Sequence, residues 1–289
     1  MAATPPHDDA AVSPAGASLF RLDGRTALVT GGSGVLGGAM ARGLAQAGAR
    51  VALAARTAKN VEAAAADLRS HGAQAIGVAM DACETGAIRA AVEKVERELG
   101  PVDILVNAAG GNQAGATTLA PERTFAQLDP DALRKVVDLN LFGGAMLPAL
   151  VVGQCMIEHN VAGSIINITS VSAATPLTRV AGYSAAKAAV GSFTQWLAVH
   201  LALELNAPIR VNAIMPGFFL TEQNRFLLTN EDGSLTERGR TIIEHTPMKR
   251  FGSPGELAGA CVFLASPASK FVTGTTLTVD GGFTAFSGV

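Results

Sequence analysis

Tyr183 is the only tyrosine in 289 residues, and Lys187 follows it by four positions in the run YSAAK. On a helix, residues four apart share a face, so the Lys187 ammonium can lie beside the phenol. A neighbouring cation stabilises phenolate and lowers a pKa that is ordinarily about 10. Ser170 closes the strand-like run SIINITS and can hydrogen-bond a substrate oxygen. Together the three groups suit proton transfer to a carbonyl oxygen while its carbon takes up hydride. Taken alone, Y-x-x-x-K is an ordinary helix-surface pair, so its meaning depends on its surroundings.

Those surroundings alternate between short apolar runs and longer amphipathic ones. Arg25–Thr30, Arg50–Ala55, Ala75–Ala79, Ile104–Asn107, Ser164–Ile168, Arg210–Ile214 and Thr276–Val279 read as buried strands. Helical stretches lie between them, among them Val61–Ser70, Gly86–Leu99 and Asp131–Val152. Strands apolar on both faces and separated by helices imply right-handed βαβ units. The expected architecture is a single α/β domain with a doubly wound parallel sheet, the Rossmann fold, from residue 20 to the C-terminus. Phe218 to Gly252 is rich in Thr, Asn, Glu and Gly and is expected to form a lid or binding segment.

The first strand leads into TGGSGVLGG at Thr30–Gly38 and then into a helical run. Gly32, Gly34 and Gly37 spell G-x-G-x-x-G in the strand–turn–helix context that dinucleotide binding requires. Small residues let the backbone approach a pyrophosphate, and a helix N-terminus supplies free N–H donors. At the end of the second strand, AARTAKN has no acidic residue for a ribose 2′-hydroxyl. Arg56 with Lys59 would instead hold a 2′-phosphate, which favours NADP over NAD; solvated residues at a helix start are the competing reading.

Whole-chain properties narrow the class. Hydrophobic residues make up 48% and charged residues 16%, as in a compact globular protein. A net charge of −2 offers no footprint for nucleic acid or an anionic membrane. No uninterrupted apolar run has the length of a bilayer span. Residues 1–19 are rich in Pro, Ala, Ser and Asp, have no signal-peptide pattern, and read as a disordered leader. Cys83, Cys155 and Cys261 are few and far apart, which suits the cytoplasm, and no residue spacing points to a metal.

From about Phe20 to the C-terminus the chain resembles the classical short-chain dehydrogenase/reductase family. Thr30, Gly31 and Gly37 resemble its T-G-x-x-x-G-x-G turn, with Val35 where the pattern has its middle glycine. Gly34, one residue earlier, is expected to restore that space by letting the turn take a shifted path. NAAG at Asn107–Gly110 resembles the family's strand end, and Asp81 with Ala82 matches the adenine-contacting position. Asn140 matches a helix asparagine that anchors a water for proton relay, and Ser170, Tyr183 and Lys187 match the other catalytic positions. Pro216-Gly217 and Thr221 match the segment meeting the nicotinamide amide, and VTG at Val272–Gly274 and DGG at Asp280–Gly282 match the closing signature.

The resemblance implies an NAD(P)-dependent ketone reductase with Asn140, Ser170, Tyr183 and Lys187 as catalytic residues. It implies a cofactor site formed by Gly31, Ser33, Gly34, Val35, Leu36, Gly37, Arg56, Asp81, Ala82, Asn107, Ala108, Ala109, Gly110, Tyr183, Lys187, Pro216, Gly217 and Thr221. It further implies a homotetramer built through the helices near Asp131–Val152 and Tyr183–Leu205. Within the family, GGNQAGATT, TPLTRVAGYSAAKAAV and PGFFLTEQNRFLL resemble the subgroup described as D-mannonate oxidoreductase or fructuronate reductase.

The residues themselves point toward a small sugar acid. Asn112 and Gln113 follow the NAAG strand end, Arg179 precedes Tyr183 by four, and Gln223, Asn224 and Arg225 follow Thr221. Such groups, with Ser170 and Tyr183, suit an anionic polyol better than a steroid or acyl chain. For Arg179 and Arg225, a solvated or ion-paired position on the surface is the competing reading. Other substrates (a 5-keto-gluconate, another polyol, a 3-oxoacyl thioester) and a non-catalytic nucleotide-binding regulator on the same scaffold are the alternatives.

Overall fold

Seven parallel strands in the order β3-β2-β1-β4-β5-β6-β7 form one sheet. They are β1 (Thr26–Thr30), β2 (Arg50–Ala55), β3 (Ala75–Ala79), β4 (Ile104–Asn107), β5 (Ser164–Ile168), β6 (Arg210–Pro216) and β7 (Thr276–Val279). This computed structural model describes residues 16–119, 121–221 and 224–288. The expected leader falls mainly outside those residues, and Gly16–Phe20 forms a short 3₁₀ turn.

The central strands are the buried apolar runs. All residues of β1, β4 and β5 are buried. The edges differ from that expectation: β7 alternates exposed and half-buried residues, and β3 is buried only in part. An edge strand has one neighbour and less cover from helices, so its outer side chains stay wet.

Helices cover both faces. On one side lie α1 (Val35–Gln46), α2 (Ala58–Ser70) and, from the chain's end, α9 (Glu256–Ala265), whose Met40, Leu44, Leu68, Leu257 and Leu264 pack on Leu53 and Ile166. On the other lie α3 (Thr85–Leu99), α5 (Leu147–Glu158) and α6 (Ala181–Leu203), whose Ile88, Val95, Val152, Val190 and Leu201 pack on Leu28, Leu105 and Ile165. Burial of each such large aliphatic side chain contributes about 1.5–3 kcal/mol before chain entropy is counted.

The helix expected over Asp131–Val152 runs from Pro130 to Glu158 but changes pitch. It comprises α4 (Pro130–Val137), a π-helical stretch (Asp138–Met146) and α5. Pro148 lacks an N–H, and Gly143 and Gly144 let neighbouring backbone come close, which loosens the ordinary i→i−4 ladder. By length and composition this helix could cross a membrane, yet its Val151, Val152 and Met156 are core residues beneath the sheet.

The segment from Phe218 to Gly252 is more regular than its composition implies. It contains α7 (Arg225–Leu228) and α8 (Glu237–His245), and a bridge between Phe219 and Gly252 closes its base.

Candidate active site

The strand order reverses between β1 and β4, and there a cavity of about 630 Å³ opens along the C-terminal strand ends. A parallel sheet with helices on both faces leaves a crevice at this switch point, because successive crossovers leave on opposite faces. Residues just past β1, β4, β5 and β6 line it: Gly31, Ala108, Ser170 and Gly217.

The turn after β1 is held in place by close backbone approach. Gly31 has φ +63°, and a Cβ there would stand 2.6 Å from the Ala108 carbonyl oxygen. A Cβ on Gly37 would collide with the Gly31 carbonyl, and the Thr30 hydroxyl accepts from the Ala109 N–H at 3.1 Å. Gly34 adopts no glycine-only conformation. Its φ of −80° and ψ of 164° are open to any residue, and its N–H closes a turn onto the Gly31 carbonyl at 2.9 Å. Positive φ belongs to Gly31 instead. Val35 is the first residue of α1, 38% exposed, and forms cavity wall.

This cradle fits a dinucleotide on its own geometry. The N-terminus of α1 carries no side-chain cap and lines the cavity through Ser33, Val35, Leu36 and Gly37. Its free donors and dipole match a pyrophosphate. Arg56, Asp81 and Ala82 line the part beyond β2 and β3, while Ala109 and Gly110 line the part beyond β4. Asn107 and Pro216 are not in the lining. Asn107 is buried and gives its side-chain N–H to Asn167 at 2.9 Å, and Pro216 is a buried strand residue. Lys59 is likewise outside the lining.

Ser170, Tyr183 and Lys187 meet at the same cavity. The Ser170 hydroxyl is near enough to the Tyr183 phenol to act on its proton affinity. Lys187 is 3% exposed, lies 5.8 Å from the centre of the Tyr183 ring and donates to the Ile168 carbonyl at 2.7 Å. The pKa expectation for the phenol is overturned. Desolvation pushes Tyr183 above its ordinary value, and the neighbouring Ser170 hydroxyl offsets this only in part. Desolvation also pulls Lys187 down to about 8. With little water among these groups, each is biased toward its neutral form.

Asn140 lines the cavity from the π-helical stretch, but its amide is already engaged. It donates to the Gly111 carbonyl at 2.6 Å and the Val136 carbonyl at 2.8 Å, and accepts from the Gly111 N–H at 3.1 Å. The side chain therefore pins the loop after β4.

The expected substrate residues divide. Asn112, Thr221 and Asn224 line the cavity. Gln113 does not; its carbonyl accepts from Thr117, and its side chain is exposed. Arg179 and Arg225 are exposed and outside the lining, and Gln223 lies outside the described residues. Arg179 sits at φ +80°, and its carbonyl accepts from the Thr118 N–H at 3.0 Å. Besides Arg56 and Lys187, the cation that lines the cavity is Arg238 on α8. Its signal in the sequence was its place four residues before Ile242, which is 7% exposed: the two share the inward face of a helix whose other charges face water. Leu139, Leu177, Val180, Phe218 and Phe219 complete the apolar wall.

Comparison with known proteins agrees with this geometry. The family model described as enoyl-(acyl carrier protein) reductase matches residues 33–284. The chain belongs to the classical short-chain dehydrogenase/reductase family. As a member it is an NAD(P)-dependent oxidoreductase. The oxidoreductase UxuB of Bacillus subtilis, whose reaction is uncharacterized, is 45% identical, covering 93% of this chain and 98% of that protein. Gluconate 5-dehydrogenase of Gluconobacter oxydans is 35% identical, covering 92% and 97%. Among solved structures, a Haemophilus influenzae protein provisionally named D-mannonate oxidoreductase, with bound NAD, superposes with a TM-score of 0.87 at 39% identity, over 94% and 99% of the two chains.

Proposed function

We propose that this dehydrogenase/reductase interconverts a ketone and a secondary alcohol on a small sugar acid, the best single reading being reduction of the C5 ketone of D-fructuronate to D-mannonate. The observation that carries the reaction type is Ser170 and Tyr183 together beside buried Lys187, at a cavity whose other end is a dinucleotide cradle. The substrate class draws support from polar Asn112, Thr221, Asn224 and Arg238 in the wall, and from relatives named for gluconate and mannonate.

In this mechanism the bound nicotinamide supplies hydride in reduction and accepts it in oxidation. Ser170 donates a hydrogen bond to the substrate carbonyl oxygen and polarises it. Tyr183 gives its proton to the same oxygen as negative charge develops. The upward shift of the phenol suits this direction, because the proton is in place at neutral pH. In oxidation the substrate hydroxyl must give up its proton to the phenolate, which high pH favours. Lys187 holds the Ile168 carbonyl and puts positive charge near the ring, while Asn140 fixes the loop carrying Gly110 and Gly111.

Arg56, at the end of β2, favours NADP, since a guanidinium pairs with a 2′-phosphate. The segment from Phe218 to Gly252 serves as a lid over the substrate, carrying Thr221, Asn224 and Arg238. A homotetramer is supported by the exposed apolar face of α6, where Trp196, Val199 and Leu203 are 55%, 57% and 79% exposed. Light scattering that gives a monomer mass would remove the tetramer. Initial rates with D-fructuronate, 5-keto-D-gluconate and a 3-oxoacyl thioester, each with NADPH and NADH, test the substrate; turnover confined to the thioester would refute it.

A further inference from the structure

Arg238 occupies a position that the fold by itself does not explain. It lies in the first turn of α8, where the helix dipole disfavours a cation. It is half-buried, and among the described residues no carboxylate or carbonyl pairs with it. Its nearest charged influence is another guanidinium, Arg179, in the loop before Tyr183; desolvation first and that like charge second depress its pKa. All three effects are unfavourable, and an arginine on a solvated helix face would escape each of them.

The rest of the cavity does not compensate. Its charged lining residues are Arg56, Asp81, Lys187 and Arg238. Asp81, the one acid in the lining among the described residues, sits with Arg56 beyond β3 and β2, where both act on the Cys83 thiol. From the end of β3 to the end of β6 is five strand spacings, roughly 24 Å. Lys187 is committed to the Ile168 carbonyl. Among the described residues, the substrate end therefore holds a fork of guanidinium donors with no carboxylate, beside the amides of Asn112 and Asn224 and the hydroxyl of Thr221.

We infer that Arg238 is the residue that receives the substrate's carboxylate, by charge-assisted and bidentate hydrogen bonding, and that it selects acidic over neutral ketones. This rests on the reading of Ser170 and Tyr183 as the reacting pair. A carboxylate would remove the repulsion from Arg179 and satisfy the stranded donors in one step. It would also hold the ketone at a fixed reach from Tyr183, which a neutral hydroxymethyl group in the same place would not.

The test compares the full-length protein with its Arg238→Gln and Arg238→Lys forms. D-Fructuronate and D-fructose serve as an acid–neutral pair, since they differ by a carboxylate against a hydroxymethyl group. Arg238→Gln is expected to lower kcat/KM for fructuronate by about 30- to 100-fold, the range of a lost charged hydrogen bond, and to leave fructose within about 2-fold. Arg238→Lys should recover part of the loss. Cofactor affinity, followed by fluorescence, should not move. Equal losses on both ketones, or none on the acid, would overturn the assignment. Calorimetric titration with tartrate in the presence of oxidised cofactor separates the two ideas: it reads Arg238 even if fructuronate proves not to be the substrate. Tartrate binding that weakens by a similar factor in Arg238→Gln supports the anchor; tartrate that does not bind, or binds both forms alike, overturns it.

Discussion

The two ends of the cavity are built from different materials. The cofactor end is mostly backbone: Gly31 and Gly37 in close contact, the uncapped start of α1, and the loop after β4 held by Thr30 and Asn140. The substrate end is mostly side chain, with Arg238, Asn112, Asn224 and Leu177 contributed by three separate stretches of chain. Backbone geometry tolerates few substitutions and makes the same contacts with any nicotinamide dinucleotide. Side chains on short helices can be exchanged without disturbing the sheet, so specificity is placed there.

The sharpest break in this division is Tyr183→Phe, which removes one oxygen from the side-chain end. Turnover should fall by at least about 10³-fold, near the upper range of proton-transfer catalysis, while fluorescence titration finds cofactor affinity within about 2-fold. A variant that still turns over at the wild-type rate would dismiss the assigned proton donor. At the backbone end, Gly31→Ala should act in the opposite sense. The new Cβ meets the Ala108 carbonyl at 2.6 Å from a φ of +63°, so stability should drop by about 1–3 kcal/mol in denaturant titration, and cofactor binding should weaken with it.

Lys187 allows a comparison by pH. Its folded pKa of about 8 lies below the ordinary 10.5, so the folded state binds fewer protons than the unfolded one between those values. Stability therefore rises with pH across that window: the cost of the buried charge is fully present below about 8 and gone above about 10.5. The shift corresponds to roughly 3 kcal/mol. Lys187→Met should be free of this dependence, so the gap in stability between variant and wild type should shift across that window in favour of wild type as pH rises. A pH-independent difference would show that burial does not depress Lys187.

Smaller effects are expected at the cofactor's periphery. Arg56→Ala should raise the KM for NADPH by about 10-fold, the lower range for a charged hydrogen bond, and leave NADH unchanged. Equal changes for both cofactors would remove Arg56 from 2′-phosphate recognition. Val35→Gly should change cofactor affinity by less than about 3-fold, because Val35 forms wall beside the turn and Gly31 and Gly37 set its shape; the cost of glycine in a helix is itself only about 0.5–1 kcal/mol.

Much of this molecule was legible in its residue pattern. The strand runs β2 to β5 and β7 coincide with the observed strands, because a buried parallel strand must be apolar throughout and its helical neighbours must not be. TGGSGVLGG, NAAG and the Tyr183–Lys187 spacing also marked the places where the cavity is lined, since those motifs are local and their geometry follows from a single turn or helix. What was not legible shares a cause. Arg179 and Arg225 stood out by nearness in sequence to Tyr183 and Thr221, whereas the presence of Arg238 in the cavity lining depends on how α8 packs against distant strand ends. Giving Tyr183 a lowered pKa likewise left out burial, which pushes the phenol up.

The sequence by itself determined the alternation of strands and helices, the glycine turn and the presence of a serine, a tyrosine and a lysine able to move a proton. Periodicity and steric demand operate over a few residues, so they survive without a fold. Only the tertiary structure decided that Arg238 lines the cavity, what holds the Asn140 amide and in which direction burial moves the Tyr183 and Lys187 protons. Those outcomes depend on desolvation and on partners 29 and 59 positions away, as with Gly111 for Asn140 and Arg179 for Arg238. Water exclusion is a property of the assembled sheet and its covering helices, and no short stretch of chain encodes it.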